Sequence, residues 1–419
     1  MPKEEILKFF ENLICNNLAI HQEQKLKPFA IKTSKKLKMY KNYQNSYLAI
    51  GLMSGTSMDG IDLALIESDG NSVIRSLASK YIAFSDDLLI KIRNLIGNQQ
   101  HYLADIKITE KEFTLANAKM INDFLVENKI SAQDIDFIGF HGQTIYHNAK
   151  NFLTWQMGNG FLLAKETNIR VISDFRNKDL AYSGKGAPLV PIYHFTLFGK
   201  MFDNAIIINI GGVSNITYYN NKNIDSLWAS DICFGNALFD DIMLKELQQK
   251  YDAEGAVTNR GNADEKLAIS ILQEQIFQYD LPFSFDRNDF SMIIDKLQYL
   301  TIEHKLATLA MIYAKQLFRI IKKYQLNSDK IILCGGGRKN LGIVKHLKRE
   351  ADIYNQKYNP VEKINVLNCE DIGINGDIIE AEAFAFLAIR SFLNLPISFY
   401  RTTATSKING CEGGVIYNK

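Results

Sequence analysis

Apolar residues arrive in short runs that break off at glycine and hydroxyl-bearing residues. Residues 47–53 are apolar, the chain then passes through Ser54-Gly-Thr-Ser-Met-Asp-Gly60, and apolar residues resume at 61–66. That pattern predicts two strands joined by a tight polar turn. A third apolar segment covers 73–84, helical spacing covers 86–96 and 107–128, and 135–140 reads as a buried strand ending at His141-Gly-Gln-Thr144. Trp155-Gln-Met-Gly-Asn-Gly160 reads as a turn opening a helix over 161–167, with a strand at 169–173. Gly184-Lys-Gly-Ala-Pro-Leu-Val-Pro191 reads as a rigid loop leading into a helix. Residues 205–218 then repeat the opening pattern, with Gly211-Gly212 between two apolar runs.

Asp231 is expected between a strand-like segment and a helix over 237–250. Residues 252–330 are mostly helical in pattern, and Lys330-Ile-Ile-Leu-Cys-Gly-Gly-Gly337 reads as a strand running into a glycine turn. Residues 364–367 form a further strand, 376–388 a helix with Asp377 and Glu380 in its first turn, and 395–419 an extended return. Acid is favoured there by the helix dipole, so capping is one reading of both residues.

The β-β-β-α-β-α order predicts an α/β fold with mixed sheets and helices outside them. Two similar glycine hairpins, about one domain length apart, predict two related halves, each presenting a phosphate-binding tip to a shared cleft. Backbone N–H groups and hydroxyls suit phosphate oxygens, and a carboxylate nearby suits a phosphate-bound Mg²⁺. The Rossmann and Walker glycine patterns are both missing from the sequence, so nucleotide binding would use the two-hairpin scheme. The predicted division is 1–46 as an extension, 47–195 with the return 395–419 as one domain, and 196–394 as the other.

The 419 residues suit two domains, and 47% hydrophobic with 22% charged residues suits large cores. A net charge of +2 points to no nucleic-acid partner, and no apolar run is long enough to span a bilayer. The five cysteines are scattered without zinc-ligand spacing, which suggests a reducing cytoplasmic setting. Residues 4–14 have helical spacing, and 25–41 hold seven lysines and no acid. The expectation there is a solvated, partly disordered tail, with translation from Met39 as an alternative.

Seven motifs taken in order carry a family resemblance. They are the stretch 50–62, Gly139-Phe-His-Gly-Gln-Thr144, Asp174-Phe-Arg176, Gly186-Ala-Pro-Leu-Val-Pro191, Asn209-Ile-Gly-Gly212, Cys334-Gly-Gly-Gly337 with Asn340, and Gly376-Asp-Ile-Ile-Glu-Ala381. Together they resemble the anhydro-N-acetylmuramic acid kinases from residue 47 to the C-terminus. The resemblance implies a two-domain, actin-like sugar-kinase fold that closes over ATP. It also implies conversion of 1,6-anhydro-N-acetylmuramic acid, ATP and water to N-acetylmuramic acid 6-phosphate in cell-wall recycling, by a cytoplasmic homodimer.

By the same resemblance, Gly55, Thr56, Ser57, Met58, Asp59, Gly60, Ile61 and Asp62 form the first phosphate loop, with Asp59 near Mg²⁺ through water. Gly211 and Gly212 form the second loop, and Gly335, Gly336 and Gly337 face the adenosine. Asp231 stands at the family's catalytic base and Glu380 at a sugar-holding carboxylate, with His141, Gln156 and Asn159 on the substrate side. An Asp with the ordinary pKa of about 4 can take a proton from water without special tuning. Asp174 and Arg176 are expected to be a buried pair that fixes their loop.

Three departures stand out: Ile232-Cys-Phe234 replaces the family's Thr-Gly-Pro, Asn159 replaces an Asp, and Ser183 replaces a glycine. They are expected to gather at the sugar end of the site. They motivate an alternative reading, a nucleotide-binding pseudo-kinase or a related sugar kinase with another substrate.

Overall fold

The computed structural model describes residues 45–55, 60–96, 100–358 and 363–419. The N-terminal expectations at 4–14 and 25–41, and Thr56, Ser57, Met58 and Asp59, lie outside the described residues.

Two mixed sheets share one plan. In the first, β1 (Tyr47–Ser54), β2 (Gly60–Ser68) and β3 (Ile74–Ala83) form an antiparallel meander. On the other side of β1, β4 (Phe137–Asn148) and then β6 (Val171–Ser173) add in parallel. β5 (Leu153–Met157) folds back on β4, and β12 (Val415–Tyr417), from the C-terminal return, closes the edge beside β6. In the second sheet, β7 (Ala205–Ile210), β8 (Val213–Asn220) and β9 (Asn223–Phe234) form the meander, with β10 (Lys330–Cys334) and β11 (Asn365–Asn368) parallel beyond β7. The orders β3-β2-β1-β4-β6 and β9-β8-β7-β10-β11 are therefore the same, strand for strand and sense for sense. This is the doubling expected from the two glycine hairpins, in the actin-like arrangement that the family resemblance implies.

Helices cover the sheets: α1 (Asp86–Leu95), α2 (Leu103–Glu127), α3 (Gly160–Thr167), α4 (Pro191–Phe198), α5 (Asn236–Leu247), α6 (Ile302–Lys323), α7 (Leu341–Tyr358) and α8 (Ile379–Phe392). Ile206, Ile207 and Ile208 of β7 are all fully buried, as in a strand covered on both faces. One core packs β7, β9 and β10 under α5 and α6. A second joins the sheets through α4 and α8, with Ala49, Phe137 and Ile172 on one side and Ala205, Ile207 and Ile332 on the other.

Helix α8 lies directly on the first sheet because its Ala residues and two strand glycines remove the intervening side chains. Gly51 and Gly139 are neighbours in the β1–β4 register. A Cβ on Gly51 would stand 1.8 Å from the Ala381 carbonyl oxygen, and one on Gly139 2.1 Å from that of Phe384. This close seat fixes the first turn of α8, and with it Glu380.

Four details differ from the sequence reading. β4 continues through His141-Gly-Gln-Thr144 to Asn148, bending where Gly142 adopts φ +76°. Trp155, Gln156 and Met157 belong to β5, so the turn is confined to Gly158 and Asn159. Asp231 lies within β9, and the cap of α5 is Gly235. Helix α8 begins at Ile379, which leaves Asp377 outside it. Polar residues at the ends of strands hide strand continuation from a reading based on apolar runs. Among the described residues no helix is long and apolar enough to cross a membrane.

Candidate active site

The site is built where strands of both sheets end. In the first sheet, Ser54 pairs with Gln143 across β1–β4, and Phe140 with Ser173 across β4–β6. Ser54, buried, sets its hydroxyl 2.5 Å from Gln143 Oε1 and 3.1 Å from the Gly60 carbonyl. The two thus pin the base of the glycine hairpin. Gly55 follows β1, while Gly60, Ile61 and Asp62 are the first residues of β2, Ile61 with its side chain in the core. Ser54 was read as one of the turn's hydroxyl residues and Gln143 only as part of its motif; the bond between them was not expected.

In the second sheet, Gly211 and Gly212 join β7 to β8. Their carbonyls accept from Asn236 N at 2.8 Å and Gly235 N at 2.9 Å, so the start of α5 braces the loop. A Cβ on Gly235 would stand 2.0 Å from the Gly211 oxygen. The third glycine turn follows β10. Gly335 has φ +74°, and a Cβ there would meet Asn209 Oδ1 at 2.3 Å. A Cβ on Gly336 would meet nothing within 4 Å, so a ligand has room to approach the backbone there. Arg338 anchors this turn. Its Nη1 donates to Gly335 O at 2.8 Å and Asp377 at 2.9 Å, and its Nη2 to Glu370 at 2.6 Å. Burial works against its charge, but the two carboxylates outweigh that and raise its pKa further.

Between the glycine turns sit the carboxylates. Asn209, Asn215 and Asp231 form one row across β7, β8 and β9, and cross-strand partners share a face. Asn209 Nδ2 donates to Glu380 Oε1 at 3.1 Å, so α8 brings Glu380 to the same face as Asp231. Asp231 is buried, and its Oδ2 accepts from Phe285 N at 3.0 Å and Ser284 Oγ at 3.2 Å. Burial pushes its pKa up to about 6, against those two donors and the Arg176 charge. This replaces the ordinary value expected from sequence. Burial also raises Glu380, opposed by Asn209 and Arg176, and its place in the first turn of α8 favours the anion.

Arg176 and Asp174 are not paired with each other. Arg176 donates from Nε at 3.2 Å and Nη2 at 2.9 Å to His141 Nε2, and from Nη1 to Gly186 O at 2.7 Å. His141 Nδ1 lies 2.8 Å from the Gly142 carbonyl. A carbonyl only accepts and a guanidinium only donates, so His141 is the neutral Nδ1–H tautomer with both ring nitrogens engaged. Burial first, and then the Arg176 charge, hold its pKa well below the usual imidazole value. Asp174 instead accepts from Asn177 Nδ2 at 2.7 Å. It has φ +60°, a left-handed backbone uncommon for a non-glycine residue, directly after the last residue of β6. The loop is fixed by Asp179, which accepts from Gly186 N at 2.7 Å, Ser398 Oγ at 2.5 Å and Thr403 Oγ1 at 2.7 Å.

The other residues that the resemblance puts on the substrate side, Gln156 and Asn159, are half-buried and exposed. Gln156 donates to Thr154 and Thr144 at 2.8 and 3.2 Å. Asn159 is exposed and caps α3, its Oδ1 accepting from Leu162 N at 3.0 Å. The three departures differ in burial. Ile232, Cys233 and Phe234 are wholly buried in the core under α5 and α6, whereas Asn159 and Ser183 are exposed. Strand β9 carries Ile232, Cys233 and Phe234 into the core, which the sequence reading did not expect. Among the described residues no group of three or more His, Cys, Asp or Glu side chains could hold a metal ion.

Residues 47–419 match the family model described as anhydro-N-acetylmuramic acid kinase. A protein of that name from Zymomonas mobilis is 37% identical over 364 residues, covering 85% of this chain and 96% of its own. Those from Pelagibacter ubique and Bradyrhizobium diazoefficiens are 36% and 37% identical, each covering 88% of this chain and 98% of its own. Among solved structures, the activator of 2-hydroxyisocaproyl-CoA dehydratase from Clostridium difficile with bound ADPNP aligns with TM-score 0.43 and 13% identity, covering 83% of this chain and 96% of its own. A glucokinase of the ROK family from Streptomyces griseus, in complex with glucose and AMPPNP, aligns with TM-score 0.39 and 11% identity, covering 81% and 98%.

Proposed function

This chain belongs to the anhydro-N-acetylmuramic acid kinase family, and on that premise we propose how its residues carry out the reaction. The enzyme converts 1,6-anhydro-N-acetylmuramic acid, ATP and water to N-acetylmuramic acid 6-phosphate and ADP, a step in recycling cell-wall sugars. The observation that carries this reading is the match over residues 47–419, nearly the whole length of both partners.

Water attacks the anomeric carbon, the bond from that carbon to O6 breaks, and O6 takes the γ-phosphoryl group. Asp231 is the base in our reading. With a pKa raised by burial to about 6, it is ionised at neutral pH yet basic enough to accept the water proton. Glu380, aimed by Asn209, accepts hydrogen bonds from the sugar. A second reading gives the base role to Asp174, on the observation of its left-handed backbone and its lack of any bond to Arg176. Strained backbone of this kind is stored at functional sites. Asp231→Asn and Asp174→Asn separate the two readings: the base variant loses turnover at full occupancy of both substrates, and the other keeps it.

The glycine turns fit ATP. Open space at Gly336 suits the adenosine, and the two hairpins supply backbone N–H groups for the phosphates. Asp59 would hold Mg²⁺ through water, and the ion would neutralise charge on the transferred group. We place the enzyme in the cytoplasm as a homodimer, as the family resemblance implies. The halves that would close on ATP are 47–195 with 395–419, and 196–394, with α8 seated on the first sheet. The direct experiment is product identification with Mg-ATP and the anhydro sugar.

A further inference from the structure

Among the described residues, the hydrogen-bond partners of Arg176, just past the end of β6, are all neutral. An arginine carries five N–H donors. Arg176 uses three of them, two on His141 Nε2 and one on Gly186 O. One donor remains on each terminal nitrogen, the number that a bidentate carboxylate takes. Among the described residues, Glu380, Asp231 and Asp179 act on Arg176 only through their fields, without a hydrogen bond. Its nearest imidazoles are neutral: His141 is fixed as the Nδ1–H tautomer, and burial holds His147 at a pKa of about 4. The charge is thus held half-buried, with no anion among the described residues hydrogen-bonded to it.

Its position separates it from the phosphate loops. Arg176 follows β6, and β4 lies between β6 and the β1 end that carries the first loop. Two strand spacings put about 10 Å between those strand ends. Glu380 and Asp231 are its charged neighbours, so it faces the sugar end. The substrate differs from a neutral amino sugar by a carboxylic acid, ionised at neutral pH. We infer that Arg176, held by His141 and the Gly186 carbonyl, is the residue that receives the sugar's carboxylate and selects an acid-bearing sugar. This inference rests on the proposed reaction. No covalent step is added by it.

The test compares 1,6-anhydro-N-acetylmuramic acid with its primary amide, a neutral probe of the same shape. The wild type is expected to prefer the acid about 10–100-fold in kcat/KM, the scale of a bidentate charge-assisted contact. In Arg176→Gln that preference falls to within about threefold, with the loss on the acid expressed mainly in KM. A variant that loses activity on both sugars in equal proportion, keeping the preference, would overturn the inference. So would a wild type that does not discriminate. Calorimetric titration of the acid and the amide into each protein gives the same ratio where turnover is too slow to follow. A wild type that phosphorylates neither sugar contradicts the proposed reaction instead, and the binding ratio still reports on Arg176.

Discussion

Asn209, at the end of β7, donates its side-chain amide to Glu380, in the first turn of α8, at 3.1 Å. One residue belongs to the second sheet and the other to a helix seated on the first, so this bond ties the end of β7 to the first turn of α8. Asn209→Ala leaves the half-buried Glu380 without that donor. The expected outcome is a fall of about 10–100-fold in kcat/KM and a loss of about 1–3 kcal/mol in stability. Steady-state kinetics and urea unfolding measure the two effects.

The seat of α8 is equally specific. Gly51→Ala places a methyl group 1.8 Å from the Ala381 carbonyl oxygen, and backbone cannot yield cheaply there. Overpacking of this kind costs about 1–3 kcal/mol, sometimes more. The variant should melt lower and lose activity on the sugar, because Glu380 moves with its helix. An unchanged melting temperature would mean that α8 does not rest on Gly51.

The raised pKa of Asp231 gives two linked expectations. Activity should fall as pH drops through about 6, where the carboxylate is protonated. Stability runs the other way. The folded state binds that proton more tightly than the unfolded chain, so stability contributed by this group rises as pH falls from about 6 toward 4. Asp231→Asn, which stays neutral, should therefore abolish turnover while raising stability at pH 7 by about 1–3 kcal/mol. An acid limb that stays near pH 6 in the Asn variant would remove Asp231 as its source.

Ile232 lies in the core at the position where the family resemblance implies a threonine. Ile232→Thr puts a hydroxyl among apolar side chains and removes a methyl group. It should cost about 1–3 kcal/mol in stability and leave KM for the sugar within about twofold. A lowered KM would contradict the placement of this side chain away from the sugar.

The alternation of apolar runs and glycine turns made the doubled topology readable, because strand order within each half follows from which runs are joined by tight turns. It also made the positions of the three glycine turns readable as strand ends. What could not be read was which polar residues meet. Asn209 and Glu380 are 171 residues apart, and Arg176 and His141 are 35 apart, so their bonds depend on register and helix seating. Counting apolar positions also hid the reach of β9. Asp231 looks like a residue in a turn, yet the strand carries it to Phe234 and turns the next three side chains into the core.

The central claim is the reaction itself. Purified protein incubated with Mg-ATP and 1,6-anhydro-N-acetylmuramic acid should yield ADP and N-acetylmuramic acid 6-phosphate in equal amounts, identified by mass spectrometry. Nucleotide that binds while the anhydro sugar is recovered unchanged would contradict it.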